Sequence, residues 1–213
     1  MSLVRLLLCS ILLSPPLFAQ PQEAGTFRPA ELVEIIRLDS TIRLDIRYAS
    51  PNNFMKRPMY AEARAFLQEP AAAALVRVHK TLRKKGFGLL VFDGYRPWSV
   101  TKKFWDETPP EAHKFVANPR KGSRHNRGCG VDLSLYELAS GREVVMPSSY
   151  DEFSNSSAAD YAGGTRPERT LRDLLRTAMK AEGFTVNPDE WWHFDYKDWK
   201  MYRILNIPFS TLR

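Results

Sequence analysis

The stretch Ser123-Arg124-His125-Asn126-Arg127-Gly128-Cys129-Gly130-Val131-Asp132 sets a histidine and a carboxylate seven positions apart, with two glycines between them. Beyond Gly130 the pattern alternates. Val131, Leu133 and Leu135 are apolar, and Asp132, Ser134 and Tyr136 are polar. This period of two predicts a strand with Asp132 and Ser134 on one face. Positions seven apart on one flat strand face opposite sides, so His125 and Asp132 cannot both point at one ion from it. The glycines resolve the conflict by permitting a bend or bulge, which puts His125 on a loop ahead of the strand. Downstream, Glu190-Trp191-Trp192-His193 supplies a second imidazole and another carboxylate. A strand over residues 191–196, lying beside the first, would bring His193 to the same ion. Two imidazoles and one carboxylate form the donor set of a catalytic zinc site, with three protein ligands and one open position, although other divalent metals also accept these donors.

Working outward, Phe87 to Phe92 is a continuous apolar run and reads as a buried strand. It leads into Asp93-Gly94-Tyr95-Arg96-Pro97 and then a short helix over residues 98–105. Upstream of it, Glu69-Pro70 opens a helix whose stripe is Ala71, Ala74, Leu75, Val78, His79 and Leu82, with Gly86 closing it. His79 on that stripe reads as a hydrogen-bonded core residue, and His113 as a surface residue. Thr41-Ile42-Arg43-Leu44-Asp45-Ile46-Arg47-Tyr48 alternates like a half-buried strand. Residues 143–146 read as the return strand of a hairpin, and residues 148–164 as a polar loop over a site. Thr165-Arg166-Pro167-Glu168 starts a last helix that ends at Gly183 and buries Leu171, Leu174, Leu175, Ala178 and Met179. Segregated helices and hairpins predict an α+β fold, a mainly antiparallel sheet flanked by helices.

Composition bounds the rest. The chain has 213 residues, 44% hydrophobic and 26% charged, which is the profile of an ordinary globule. Arg5, the apolar run from Leu6 to Leu13, Pro15-Pro16 and Leu17-Phe18-Ala19 read as a signal peptide over residues 1–19, too short to anchor stably in a bilayer. That leaves residues 20–213 as one expected domain, exported to a periplasm or secreted, with no stable membrane insertion after processing. Cys129 is then the sole cysteine, so no intramolecular disulfide can form, and it reads as a small packing residue. The net charge of +7 comes from basic residues scattered among acids, without a nucleic-acid motif.

Two further residues carry chemistry by position. Glu190 follows the turn Asn187-Pro188-Asp189 and can hang over the mouth of the site, where a carboxylate that is not a ligand can carry a proton. Arg96 leaves a buried strand and precedes a rigid proline. It could stabilise an oxyanion or simply form a structural ion pair.

The three segments Asp93 to Pro97, Ser123 to Asp132 and Glu190 to His193, in this order, resemble the signatures of the zinc D-Ala-D-Ala dipeptidases of the vancomycin-resistance type (peptidase family M15). These are related to D-Ala-D-Ala carboxypeptidases, peptidoglycan endolysins and the hedgehog fold. The resemblance runs from about Leu44 to Tyr196. It implies that His125, Asp132 and His193 bind one Zn2+, that Glu190 is the acid/base and that Arg96 stabilises the transition state. Tyr48, Ser123 and Asp151 match positions that line the pocket for a small dipeptide. Gly130 replaces the family's usual Ala, which would loosen the bend. The resistance-type enzymes act on cytosolic dipeptide, so an exported chain fits scavenging of D-Ala from cell-wall turnover better. Two rivals remain: a carboxypeptidase or endopeptidase on peptidoglycan stems, and a zinc-stabilised binding domain without catalysis.

Overall fold

Pro70, in the first turn of a fifteen-residue helix, costs no hydrogen bond there, and the apolar stripe behind it is buried from Ala71 to Leu82. The computed structural model describes residues 19–213, so the expected leader, apart from Ala19, lies outside the described residues. In chain order the elements are β1 (Leu32–Glu34), α1 (Ile35–Leu38), β2 (Arg43–Leu44), β3 (Phe66–Gln68), α2 (Glu69–Arg83), β4 (Phe87–Asp93), α3 (Trp98–Glu107), β5 (Gly130–Glu137), α4 (Arg166–Ala181), β6 (Phe184–Asn187) and β7 (Glu190–Tyr196). Five strands form one sheet in the order β2-β4-β5-β7-β6, and β1 pairs with β3 in a separate ribbon. Only β2–β4 is parallel; β4–β5, β5–β7 and β6–β7 are antiparallel. Helices α2 and α4 pack on each other and against this sheet. The architecture is therefore α+β with a mainly antiparallel sheet, as the pattern predicts. None of the described helices is long and apolar enough to cross a membrane.

Local chemistry explains where these elements start and stop. Helix α4 begins in a capping box, with Thr165 and Glu168 each satisfying the other's backbone N–H, and the chain leaves it through Gly183 at φ +87°. His79 is the core residue its stripe predicts. Its Nδ1 accepts the Leu89 N–H at 3.1 Å, and its Nε2 lies 2.9 Å from the Thr41 hydroxyl. Leu171 and Leu174 are only half-buried, while Leu175, Ala178 and Met179 close the core with Phe184 and Phe194.

Three expectations need correction. The alternation over residues 41–48 yields only the two-residue β2, after which Arg47–Ala49 turns as a 3-10 helix. Burial of Ile42, Ile46 and Tyr48 comes from a turn packed on the core, which can imitate a period of two. Residues 143–146 do not form a return strand. Glu143 makes one isolated bridge to Tyr136, and its neighbour Val144 donates to Leu135 O. His113 is half-buried, with its ring stacked 3.8 Å from that of Trp105 and its Nε2 held 2.9 Å from Thr108 O.

Candidate metal centre and active site

Strand register explains how distant residues converge. In β5–β7, Asp132 stands directly opposite His193; across β4–β5 it stands opposite Asp93. One row across three strands thus carries Asp93, Asp132 and His193. His125 enters from the preceding 3-10 turn, His125–Arg127, which ends at Gly128 in the left-handed region with φ +67°. This is the bend inferred from the glycines. Gly130 plays a different part from the one expected. Its N–H donates to Arg124 O at 3.1 Å, and a Cβ there would come within 2.8 Å of the His125 backbone nitrogen. The missing methyl lets the His125 turn sit tightly on β5, so the bend is closed rather than loosened.

The donor atoms face one another. His193 Nδ1 lies 2.8 Å from Asp132 Oδ1 and 3.1 Å from His125 Nε2, and His125 Nε2 lies 3.3 Å from Asp132 Oδ1. Ligands roughly 2.0–2.1 Å from a tetrahedral zinc stand about 3.3 Å apart, so this spacing fits the ion. The remaining polar atom of each ligand is fixed from behind. His125 Nδ1 donates to Gly94 O at 2.7 Å, His193 Nε2 donates to Asp195 Oδ1 at 2.9 Å, and Tyr150 donates its hydroxyl to Asp132 Oδ2 at 2.9 Å. Such outer partners select the tautomer and aim the ring. All three candidate ligands are buried.

The electrostatics agree with a cation site. Burial opposes charge on Asp132, but His125 and His193 outweigh it and hold the carboxyl well below its ordinary range. Burial likewise opposes charge on His193, but its hydrogen bonds to the Asp132 and Asp195 carboxylates outweigh it and raise its pKa. A metal must displace that proton, so metal affinity falls as pH falls. We expect His193→Ala to abolish stoichiometric metal binding, measured as metal content after gel filtration; wild-type content would refute the ligand assignment.

The other expected site residues line the same cavity of about 230 Å3: Tyr48, Arg96, Ser123, Asp151 and Glu190. Arg96 is buried and clamped by Asp93, with Nε at 3.0 Å and Nη2 at 2.6 Å from Asp93 Oδ2. The ion pair that the sequence left open is present: Asp93 holds the guanidinium while Nη2 reaches within 4.0 Å of Asp132 Oδ2. Ser123 Oγ accepts the His125 N–H at 3.2 Å and so braces the ligand turn. Glu190 Oε2 accepts from Asn187 Nδ2 at 3.0 Å, and burial raises its pKa, with His193 acting in the opposite sense. Asp151 adopts φ +57°, and its Oδ2 accepts the Tyr48 hydroxyl at 2.8 Å. Burial, then repulsion by Asp132, pushes its pKa well above the ordinary carboxylate value.

Sequence reasoning missed several contributors. Asp195 was readable, since a position two beyond His193 on a strand shares its face. Asp93 and Tyr150 sat beside assigned residues, but their hydrogen bonds depend on tertiary placement. The aromatic wall of Phe54, Phe115 and Phe153 had no sequence signal: its rings come from two loops and the end of the 3-10 helix Pro110–Phe115, with Phe115 stacked on Phe153 at 4.5 Å. Cys129 is fully buried, and burial pushes its thiol up to about 12, as suits a packing residue rather than a ligand.

The model of the family described as D-Ala-D-Ala dipeptidase, peptidase M15, matches residues 28–210. The chain belongs to this family. The D-alanyl-D-alanine dipeptidase of Streptomyces coelicolor is 34% identical, with 76% of this chain and 89% of that protein aligned. The enzyme of that name from Escherichia coli K12 is 28% identical over 84% of this chain and 92% of its own length. Among solved structures, the LdcB LD-carboxypeptidase aligns with a TM-score of 0.46 at 21% identity, covering 81% of this chain and 71% of its own. Membership makes this chain a metallopeptidase, and His125, Asp132 and His193 form a cluster that could hold a metal ion.

Proposed function

We propose that this M15 peptidase hydrolyses D-Ala-D-Ala to two molecules of D-Ala, using one zinc ion held by His125, Asp132 and His193. The observation that carries the reading is the convergence, in one small cavity, of three donors on one side of the reaction and Glu190, Arg96 and Asp151 as non-ligand charges. When bound, zinc supplies Lewis-acid polarisation of the peptide carbonyl and a water nucleophile near neutral pH. The chain's own residues do the rest. Glu190, ionised, takes a proton from the attacking water and returns it to the departing amine. Its buried setting brings its pKa toward the working pH, which suits a group that must both accept and release a proton. Arg96, immobilised by Asp93, places fixed positive charge where the carbonyl oxygen becomes negative, without reorganisation during the reaction.

Asp151 argues for a short substrate. A free ammonium satisfies the buried Asp151 carboxylate, with the Tyr48 hydroxyl fixing its second lone pair. A peptide extended at its amino end offers only an amide there and leaves Asp151 buried without a counter-charge. A binding domain without catalysis needs neither Glu190 nor Arg96. The leader read at residues 1–19 makes the enzyme an exported one that recovers D-Ala from wall fragments.

The test compares D-Ala-D-Ala with L-Ala-L-Ala and a stem pentapeptide, with and without a chelator. Preferred, chelator-sensitive cleavage of D-Ala-D-Ala is expected. Preference for the pentapeptide would move the assignment to a carboxypeptidase, and chelator-resistant activity would remove zinc from it.

A further inference from the structure

His193 and Asp195 share one face of β7, and the bond from His193 Nε2 to Asp195 Oδ1 leaves Nδ1 as the nitrogen turned toward Asp132 and His125. The second oxygen of Asp195 is also engaged, with Arg124 Nε 3.2 Å from Oδ2. The Arg124 guanidinium lies over the Trp199 ring, 4.5 Å from its centroid. The backbone of Arg124 faces the other half of the site. Its carbonyl accepts N–H groups from Arg127 at 3.0 Å and from Cys129 and Gly130 at 3.1 Å each, and so closes the turn that carries His125.

We propose that Asp195 is a positioning residue that fixes His193 as an Nδ1 metal donor, and that Arg124 holds Asp195 in place, tying the two ligand-bearing stretches together. The proposal rests on the reading of His193 as a metal ligand. A neutral imidazole offers one lone pair, and the hydrogen bond made by the other nitrogen decides which atom carries it. The two histidines are held differently. His125 donates to a neutral carbonyl, Gly94 O, whereas His193 donates to a carboxylate, which makes it the more basic donor. Asp195 has 21% of its side chain exposed, so an unrestrained carboxylate there could turn to solvent and release the ring. Arg124 opposes that turn through its ion pair, and stacking on the Trp199 ring holds its half-exposed guanidinium in place.

The test uses the full chain and three variants, Asp195→Asn, Arg124→Gln and the double substitution. Zinc affinity is read by competition with a chromophoric chelator, and the His193 ring nitrogens by 15N chemical shift in the zinc-loaded protein. Asp195→Asn is expected to weaken zinc binding by about 10- to 100-fold. Arg124→Gln should weaken it less, and the double variant should match Asp195→Asn, because Arg124 acts through Asp195. A merely structural role would lower thermal stability in each variant without altering the nitrogen shifts or the zinc affinity. Wild-type zinc affinity in Asp195→Asn would overturn the proposal, and additive losses in the double variant would overturn the part given to Arg124. Should Asp195→Asn fail to fold, Arg124→Gln decides the proposal alone, with wild-type affinity overturning it. A wild-type chain that binds no zinc would instead overturn the ligand assignment beneath it.

Discussion

Glu190→Gln is expected to retain zinc and to lose turnover by about 10²- to 10⁴-fold, the range that a positioned general acid/base contributes. The substitution is isosteric. Asn187 Nδ2 can still donate to the side-chain oxygen of glutamine, so the local turn and the start of β7 should survive. What disappears is the ability to take a proton. KM should change little, because Glu190 acts on the reacting atoms rather than on the ends of the substrate. The pH profile gives a second readout. Burial raises the Glu190 pKa, so in the wild type kcat should climb as pH rises through a value above the ordinary carboxylate range. The residual rate of the glutamine variant should lack that limb. A variant with undiminished kcat, or one that has lost its zinc, would sink the role assigned here.

Much of the site was legible because it depends on local rules. Alternation placed Asp132 on a strand. The two glycines forced His125 off it, and the Asn187-Pro188-Asp189 turn set Glu190 at the head of the next strand. The helices were legible for similar reasons, since caps, prolines and stripes are local signals. What failed was the inference from burial to strand. Residues 41–48 alternate because a short strand and a 3-10 turn both press every second side chain into the core. Pairing, which defines a strand, is a tertiary fact, and β4 offers β2 only the Leu90–Val91 edge. The electrostatic setting was equally out of reach. Nothing in Ser149-Tyr150-Asp151-Glu152 says that Asp151 meets Tyr48 from a hundred residues upstream, or that Asp132 lies near enough to repel it.

Asp151→Asn should make the protein more stable and a much poorer enzyme. The two effects share one cause. The folded chain raises the Asp151 pKa, first by burial and then by repulsion from Asp132, while the Tyr48 bond and Arg96 act the other way. A carboxyl whose pKa is raised on folding binds its proton more tightly in the native state than in the unfolded one. It therefore adds nothing unfavourable below the unfolded value, and destabilises increasingly as pH climbs from that value through the folded one. Asparagine removes the penalty. It keeps an oxygen for the Tyr48 hydroxyl, and it tolerates the left-handed backbone at φ +57°. Measured on the metal-free protein, where Asp132 carries its full charge, the expected gain is about 1 kcal/mol near neutral pH, or on the order of 2–4 °C in Tm for a domain of this size. It should vanish in melts run below about pH 4, where the unfolded carboxyl is itself protonated. Activity moves in the opposite direction. Losing one partner of a buried charge pair costs about 2–5 kcal/mol, so kcat/KM for the dipeptide should drop by roughly 30-fold or more, mainly through KM. The wild type should also lose affinity for dipeptide on acidification as Asp151 takes up its proton, and the variant should not. An Asp151→Asn protein that melts lower than wild type at neutral pH, or that binds dipeptide equally well, would separate stability from function here. The ammonium would then be recognised by something other than this carboxylate.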